Sequence, residues 1–239
     1  MTGGEDVVEA AFDAGINFFF VTADMHWPLY ETTRRGLARL LERVRRDDVV
    51  VGVVSYVTQQ EFCWAPFEEV VEAIPGLERI DVSIMGGAYA AELPARLERY
   101  REHRARSFLG IKATGCSFHD RKAALAAVNE NAVDIAFVRY NAGHTRPEQD
   151  FFPALEPARK TLVYGFKSVS GHGGRAPSPR GWVPEIPDQY RFVLSKVDGV
   201  LCSLDSPAEV RALVERLALG PLDDDERRHL VELAKSRRS

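Results

Sequence analysis

Asp24 and His26 stand two residues apart in the segment Asp-Met-His-Trp, a carboxylate beside an imidazole. A histidine titrates at about 6.5 when unperturbed, so it can give or take a proton near neutrality, and a neighbouring carboxylate can orient it. The same pair also reads as a space-filling loop histidine with an outward-facing acid. Lys167 closes an apolar run, where an ammonium can meet a carboxylate, a phosphate or, if buried and neutral, a carbonyl as a Schiff base. Arg139 alternates with Phe137 and so points to the same side of its run, as a carboxylate clamp or half of an internal ion pair. Tyr56, Ser117 and His119 follow other apolar runs and are candidates for substrate binding; His119 also suits a helix entry. Asp24, His26, Cys116, His119 and His172 include no tight ligand spacing such as His-x-x-x-His, so no metal is expected. Cys63, Cys116 and Cys202 are odd in number and far apart, the pattern of small buried hydrophobes.

The elements that must position these groups are strands and helices in alternation. Apolar runs of strand length cover Asn17–Thr22, Val49–Tyr56, Ile80–Met85, Phe108–Cys116, Val133–Tyr140, Thr161–Lys167 and Gly199–Ser203. Helical periodicity covers Glu31–Arg46, Phe67–Ile74, Ala91–Arg106, Asp120–Asn129, Pro187–Val197, Pro207–Leu217 and Asp224–Lys235. Asp120, Ser206 and Asp223 stand where N-caps belong. Such alternation, without a Gly-x-Gly-x-x-Gly after the first run, predicts a TIM-type (β/α) barrel rather than an open dinucleotide-binding sheet. Sites in these barrels lie at the C-terminal strand ends. Besides the residues above, that rule nominates Tyr30, Tyr89, Asn141, His144, His172 and Asp205.

The barrel is expected to be incomplete. The chain opens in a helix, Glu5–Ala14, which Gly15 ends, and no strand precedes it. Either the sequence starts downstream of a first strand, or the gap is closed by a partner chain or by pairing of Asn17–Thr22 with Gly199–Ser203; a homodimer across the open edge is the favoured version. Arg34–Arg46 sets Leu37, Leu40, Leu41 and Val44 on one face, an outer helix with a solvated charged side.

With 239 residues, 45% of them hydrophobic, the chain can bury a full-sized core, and one domain over residues 1–239 is expected. A net charge of -4 gives no pull toward nucleic acid or anionic membrane, and no apolar run of about 18 residues could cross a bilayer. Met1–Asp13 is acidic and has no continuous apolar stretch, so it is no signal peptide and a cytoplasmic location is expected.

The segment AFDAGINFFFVTADMHW resembles the aldo/keto reductase motif built on Gly-Ile-Asn-Phe-Phe-Asp-Thr-Ala followed by Tyr-Gly. TGCSFH at 114–119, VDIAFVRYN at 133–141, GFKSVSGHG at 165–173, SLDSPAEVRALVE at 203–215 and PLDDDER at 221–227 resemble later segments of that family in order and spacing. The resemblance runs from about Ala11 to the end and implies an aldo/keto-reductase-like barrel. It also implies that the reductase tetrad is replaced: the aspartate position is Val21, the tyrosine His26, the lysine Val54 and the histidine Gly86. The supporting glutamine and asparagine fall on Phe137 and Phe118, Ser117 is retained, and no Lys or Arg lies within Leu204–Glu209 to meet a 2'-phosphate. No cofactor is therefore predicted; NADPH could bind only with little support, Phe166 stacking on its nicotinamide. The expected function is acid/base conversion of a small molecule by His26 and Asp24 (elimination, cyclisation or isomerisation). A binding pseudoenzyme and an atypical NADPH-dependent oxidoreductase are the alternatives.

Overall fold

The computed structural model describes residues 4–88, 91–106, 109–170 and 176–236. Among them, seven parallel strands form one sheet in chain order: β1 (Phe18–Thr22), β2 (Val50–Ser55), β3 (Val82–Ala88), β4 (Ala113–Phe118), β5 (Ile135–Arg139), β6 (Leu162–Phe166) and β7 (Gly199–Val200). The helices are α1 (Asp6–Asp13), α2 (Glu31–Arg43), α3 (Ala65–Ala73), α4 (Leu93–Arg106), α5 (Arg121–Asn129), a single turn α6 (Pro147–Asp150), α7 (Ile186–Leu194), α8 (Pro207–Leu217) and α9 (Asp224–Ser236).

The sheet curls until its two ends face each other across a lumen. Phe18 of β1 meets Tyr164 of β6 edge-on at 5.9 Å, and Phe20 meets Phe137 of β5 at 6.0 Å. Alternate residues of each strand fill this lumen, with Val54, Ile84 and Phe137 fully buried in it. The opposite faces, among them Phe19, Val21, Val51 and Val53, pack on the helices. Sheet and helices thus bury apolar residues on both faces of β2 to β6, as a parallel sheet requires.

The bottom of the barrel is stitched by one device used three times. Asp81, Asp134 and Asp198 directly precede or lie just ahead of β3, β5 and β7, and each accepts a backbone N–H from the preceding strand or its entry: Val51 at 2.8 Å, Thr114 at 2.8 Å and Val163 at 2.7 Å. Each carboxylate also pairs with an arginine, Arg46 at 2.8 Å, Arg104 at 2.9 Å and Arg159 at 3.0 Å. A carboxylate that takes an N–H and a guanidinium together fixes the stagger of two strands at their entry.

The sheet stays open between β1 and β7. The direct pairing of Asn17–Thr22 with Gly199–Ser203, one of the expected ways of closing it, does not occur among the described residues, and β7 pairs with β6 only at Gly199 and Val200. The outer layer is nevertheless continuous there, because α1 packs on α2 at one side and α8 at the other. Gly15 does end α1, with φ of 90°. The basic face of α2 is not simply solvated: Arg39 meets Glu9 at 2.7 Å and Arg43 meets Asp13 at 2.9 Å, which tethers α1. Arg34 and Arg46 of the same stretch are buried.

Asp120, Ser206 and Asp223 cap α5, α8 and α9 by accepting N–H groups of the first turns. β4 begins at Ala113, five residues later than its apolar run suggests, because Leu109 and Ile111 are buried in the approach to the strand rather than in its ladder.

Candidate functional site

The chain leaves β1 through a turn at Asp24, whose φ of 59° lies in the left-handed region that aspartate tolerates better than most residues. Its carboxylate accepts the Tyr56 N–H at 2.7 Å and so joins the top of β1 to the top of β2. A tight 3-10 run, Asp24–Tyr30, follows and carries His26. Arg34 of α2 holds that run in place by stacking its guanidinium 3.3 Å from the Trp27 ring centre and donating to the Trp27 carbonyl.

His26 turns into a cavity of about 630 Å³, with its ring 4.8 Å from that of Tyr56. Its Nδ1 is buried and has no hydrogen-bond partner. The expected Asp24–His26 pair is thus not formed through Nδ1; the acid serves the Tyr56 backbone. Tyr56 lies flat against Gly86, where an added Cβ would come within 2.7 Å of the phenol ring. Burial, with the Asp24 charge second, pushes the Tyr56 phenol above its ordinary value, and burial does the same to Tyr30. Both rings are hydrogen-bond donors at neutral pH rather than bases.

Ser117, His119, Phe166 and Lys167 line the same cavity. Ser117 Oγ accepts the Gly87 N–H at 3.0 Å, and His119 stands edge-on to Phe166 at 6.2 Å. Lys167 adopts φ of 51°, and the buried Asn141 holds this turn by donating from Nδ2 to the Lys167 carbonyl at 2.7 Å. The lysine also lines a second cleft of about 580 Å³, which contains Arg139, Asn141 and Ser168 and shares Leu201 and Ser203 with the first cavity. Among the described residues no carboxylate lines either space, while Arg139 and Lys167 are both exposed there. The site is therefore an apolar cavity with two histidines and a phenol at its mouth, continuous with a cleft of positive charge.

The six candidate binding and catalytic residues other than Asp24 thus line one of two adjoining spaces: His26, Tyr56, Ser117 and His119 the first, Arg139 the second, Lys167 both, with Phe166 also in the first. Asp24 stands behind them. Asp205 caps the entry to α8 by donating its N–H to Glu209 and lines neither space, and Tyr89 and His172 lie outside the described residues. Sequence reasoning missed Thr22 and Ser168, whose hydroxyls are buried without partners beside the first and second spaces. Strand alternation carried the signal for Thr22. Val21, assigned to the reductase aspartate position, is fully buried among the helices; its neighbours Phe20 and Thr22 face the lumen. The segment holds one residue more between Gly15 and Thr22 than the motif it resembles, and a shift of one residue exchanges the faces of a strand.

Among the described residues no three His, Cys, Asp or Glu side chains are grouped to hold a metal, and no helix is long and apolar enough to cross a membrane. No family model and no curated protein matches the chain. Solved structures do. The holo form of the aldo-keto reductase AKR11C1 from Bacillus halodurans superposes with a TM-score of 0.75 at 17% identity, over 97% of this chain and 86% of that one. Its apo form gives 0.72 over the same shares, again at 17% identity. An aldose reductase from Giardia lamblia gives 0.69 at 11% identity, over 97% of this chain and 88% of that one. The chain has the fold of the aldo-keto reductases, a (β/α) barrel, here built on seven strands among the described residues.

Proposed function

We propose that this barrel no longer performs NADPH-dependent carbonyl reduction and instead carries out acid/base chemistry on an acidic small molecule, with His26 moving the proton. The observation that carries the reading is His26 itself: it lines a cavity that adjoins two exposed cations and, among the described residues, no carboxylate, and its buried Nδ1 has no hydrogen-bond partner. Arg139 and Lys167 would hold the substrate's anionic group, and the apolar cavity its body. The Tyr56 phenol, kept protonated by burial, would donate to an oxygen that gains charge as His26 takes or gives a proton. Elimination, cyclisation and proton-transfer isomerisation can each run on this pair of roles without an external hydride.

The residues present do not fit NADPH. Phe137 is locked into the aromatic filling of the lumen, Ser117 Oγ is engaged by Gly87, and the Phe118 side chain packs away from the mouth among the helices. Leu204–Glu209 offers two acids and no cation to a 2'-phosphate. Val54 and the Tyr56 ring, lying over Gly86, occupy positions where a reductase would need a lysine and a histidine.

The test is conversion of a mixed metabolite extract, followed by mass spectrometry, with the wild-type protein and with His26→Ala and Lys167→Ala. A compound consumed by wild type without added nicotinamide, unchanged with His26→Ala and consumed at raised KM with Lys167→Ala, is the expected result. Conversion that survives in His26→Ala removes the catalytic assignment. No conversion by wild type favours a binding protein.

A further inference from the structure

Arg96 is a buried cation without a counter-charge. It lies near the start of α4, is 1% exposed and gives Nη1 to the Gly86 carbonyl at 3.2 Å, while its Nε and Nη2 have no partner. No carboxylate pairs with it among the described residues. The groups on which its charge acts, Cys63, Cys116 and Tyr100, stay neutral near pH 7, because burial pushes all three above their ordinary values. A guanidinium keeps its charge inside a protein, so its field falls on the dipole it touches. That dipole is a peptide set across the sheet. β3 bulges between Met85 and Ala88, and Gly87 there has φ of 58°. The Gly86 C=O and the Gly87 N–H belong to one peptide group: its oxygen meets Arg96, and its N–H donates to Ser117 Oγ at 3.0 Å. Ser117 is in register with Phe137 of the lumen and lines the first cavity. Its oxygen accepts from Gly87, and its hydroxyl proton makes no other bond among the described residues, so that proton is left for the cavity. Guanidinium, peptide and hydroxyl thus form a chain that runs in one direction, each donor polarised by the one before it. Tyr56 borders the same peptide, since its ring would stand 2.7 Å from a Cβ at Gly86 and 3.6 Å from one at Gly87.

We propose that Ser117 is a charge-assisted hydrogen-bond donor to an anionic oxygen of the ligand in the first cavity, and that Arg96 is the positioning residue that polarises it through the Gly86–Gly87 peptide. The ligand class is a molecule whose oxygen bears or gains negative charge, as in a phenolate or an enolate. The bulge is what makes the link: with its oxygen on a residue of α4 and its N–H on a hydroxyl of the lumen, one peptide carries the effect of a helix-side charge to the cavity side of the sheet. Tyr56 and Ser117 then flank one peptide as two donors for the same oxygen. The assignment rests on the proposed acid/base reading only for the origin of that charge, proton removal by His26, and not for the binding of an oxyanion already formed.

Calorimetric binding of 4-nitrophenolate and of its neutral analogue nitrobenzene tests the proposal, on the wild-type protein, Ser117→Ala, Arg96→Met and the double variant. Wild type should bind the phenolate more tightly than nitrobenzene. Ser117→Ala should weaken phenolate binding about tenfold or more and Arg96→Met about fivefold or more, with nitrobenzene changed less than about twofold in both. In the Ser117→Ala background, Arg96→Met should change phenolate binding by less than about twofold, because its path to the ligand is already cut. If Arg96→Met does not fold, Arg96→Gln, which keeps a donor for Gly86 and removes the charge, carries the same expectation. An Arg96 effect of equal size with and without Ser117 overturns the proposal, as does an unchanged phenolate affinity in Ser117→Ala. So does a parallel loss of nitrobenzene binding, or a wild type that does not prefer the phenolate, absence of binding by either probe included. None of these readouts needs turnover, so a failure here and a failure of the acid/base reading are told apart.

Discussion

The barrel has a stitched side and an unstitched seam. From β2 to β6 each strand is paired on both flanks, packed on both faces, and locked at its entry by an aspartate–arginine clamp at alternate junctions. At the seam, β7 pairs for two residues, β1 has an unpaired flank, and the space between them belongs to the cavity that contains His26. One sheet thus has a side whose polar groups are satisfied by its neighbours and a side where backbone and side-chain groups are left open to a cavity. The stitched half fixes where the tops of β2 to β6 stand, and the seam and mouth supply the groups whose hydrogen bonds are left open.

The largest separation of the two sides is expected at Arg46. Its guanidinium is buried and donates to the carbonyls of Leu77, Val49 and Arg79 as well as to Asp81. Arg46→Ala leaves the carbonyls of Leu77, Val49 and Arg79 without this donor and leaves Asp81 with only Arg79 and Lys112, each at 3.6 Å, and urea unfolding should report a loss of about 3–5 kcal/mol. A loss below about 1 kcal/mol, the value of a surface pair, contradicts the clamp.

A smaller contrast comes from matched truncations in the lumen. Ile84 is fully buried on the stitched side, and Ile84→Ala should cost about 2–5 kcal/mol. Leu201, half-buried at the seam and lining the cavity, should cost less than half as much when changed to alanine. Equal losses would mean that the seam is as tightly packed as the rest.

Alkaline pH should weaken both sides together. Burial pushes the Cys116 and Cys202 thiols up to about 12 and raises the phenols of Tyr56, Tyr100, Tyr140 and Tyr190 above their ordinary value. These groups keep their protons in the folded chain where the unfolded chain releases them. Their contribution is intact below the ordinary thiol value of about 8.5 and is lost progressively as pH rises from there through about 12. The urea midpoint should fall over that range, and iodoacetamide at mildly alkaline pH should label the buried Cys116 only after unfolding. A rising midpoint would reverse the sign.

How far the sequence could be read follows the same division. Hydrophobic periodicity and cap residues located the helices, and Asp120, Ser206 and Asp223 act as read, because these signals are local. The seven strands followed from runs that are apolar on both faces. β4 was misplaced at its start for the same reason, since Leu109 and Ile111 are apolar without being in the ladder. The aspartates at 81, 134 and 198 stand in the repeated setting Ile-Asp-Val, Val-Asp-Ile and Val-Asp-Gly, a visible pattern whose meaning depends on strand neighbours that only the fold supplies. At the mouth, the strand-end rule found His26, Tyr56, Arg139 and Lys167. It could not show that Asp24 serves the Tyr56 N–H, because that contact spans 32 residues. Nor could it fix the face of Val21, where one residue of register decides between lumen and helices.

On the proposed function, the fold is kept while carbonyl reduction by hydride from NADPH is not. The most direct measurement is the nicotinamide absorbance of NADPH mixed with the purified protein and a panel of aldehydes and ketones. No protein-dependent loss of absorbance is expected with any of them. Sustained NADPH oxidation that scales with protein concentration and forms the corresponding alcohol would contradict it.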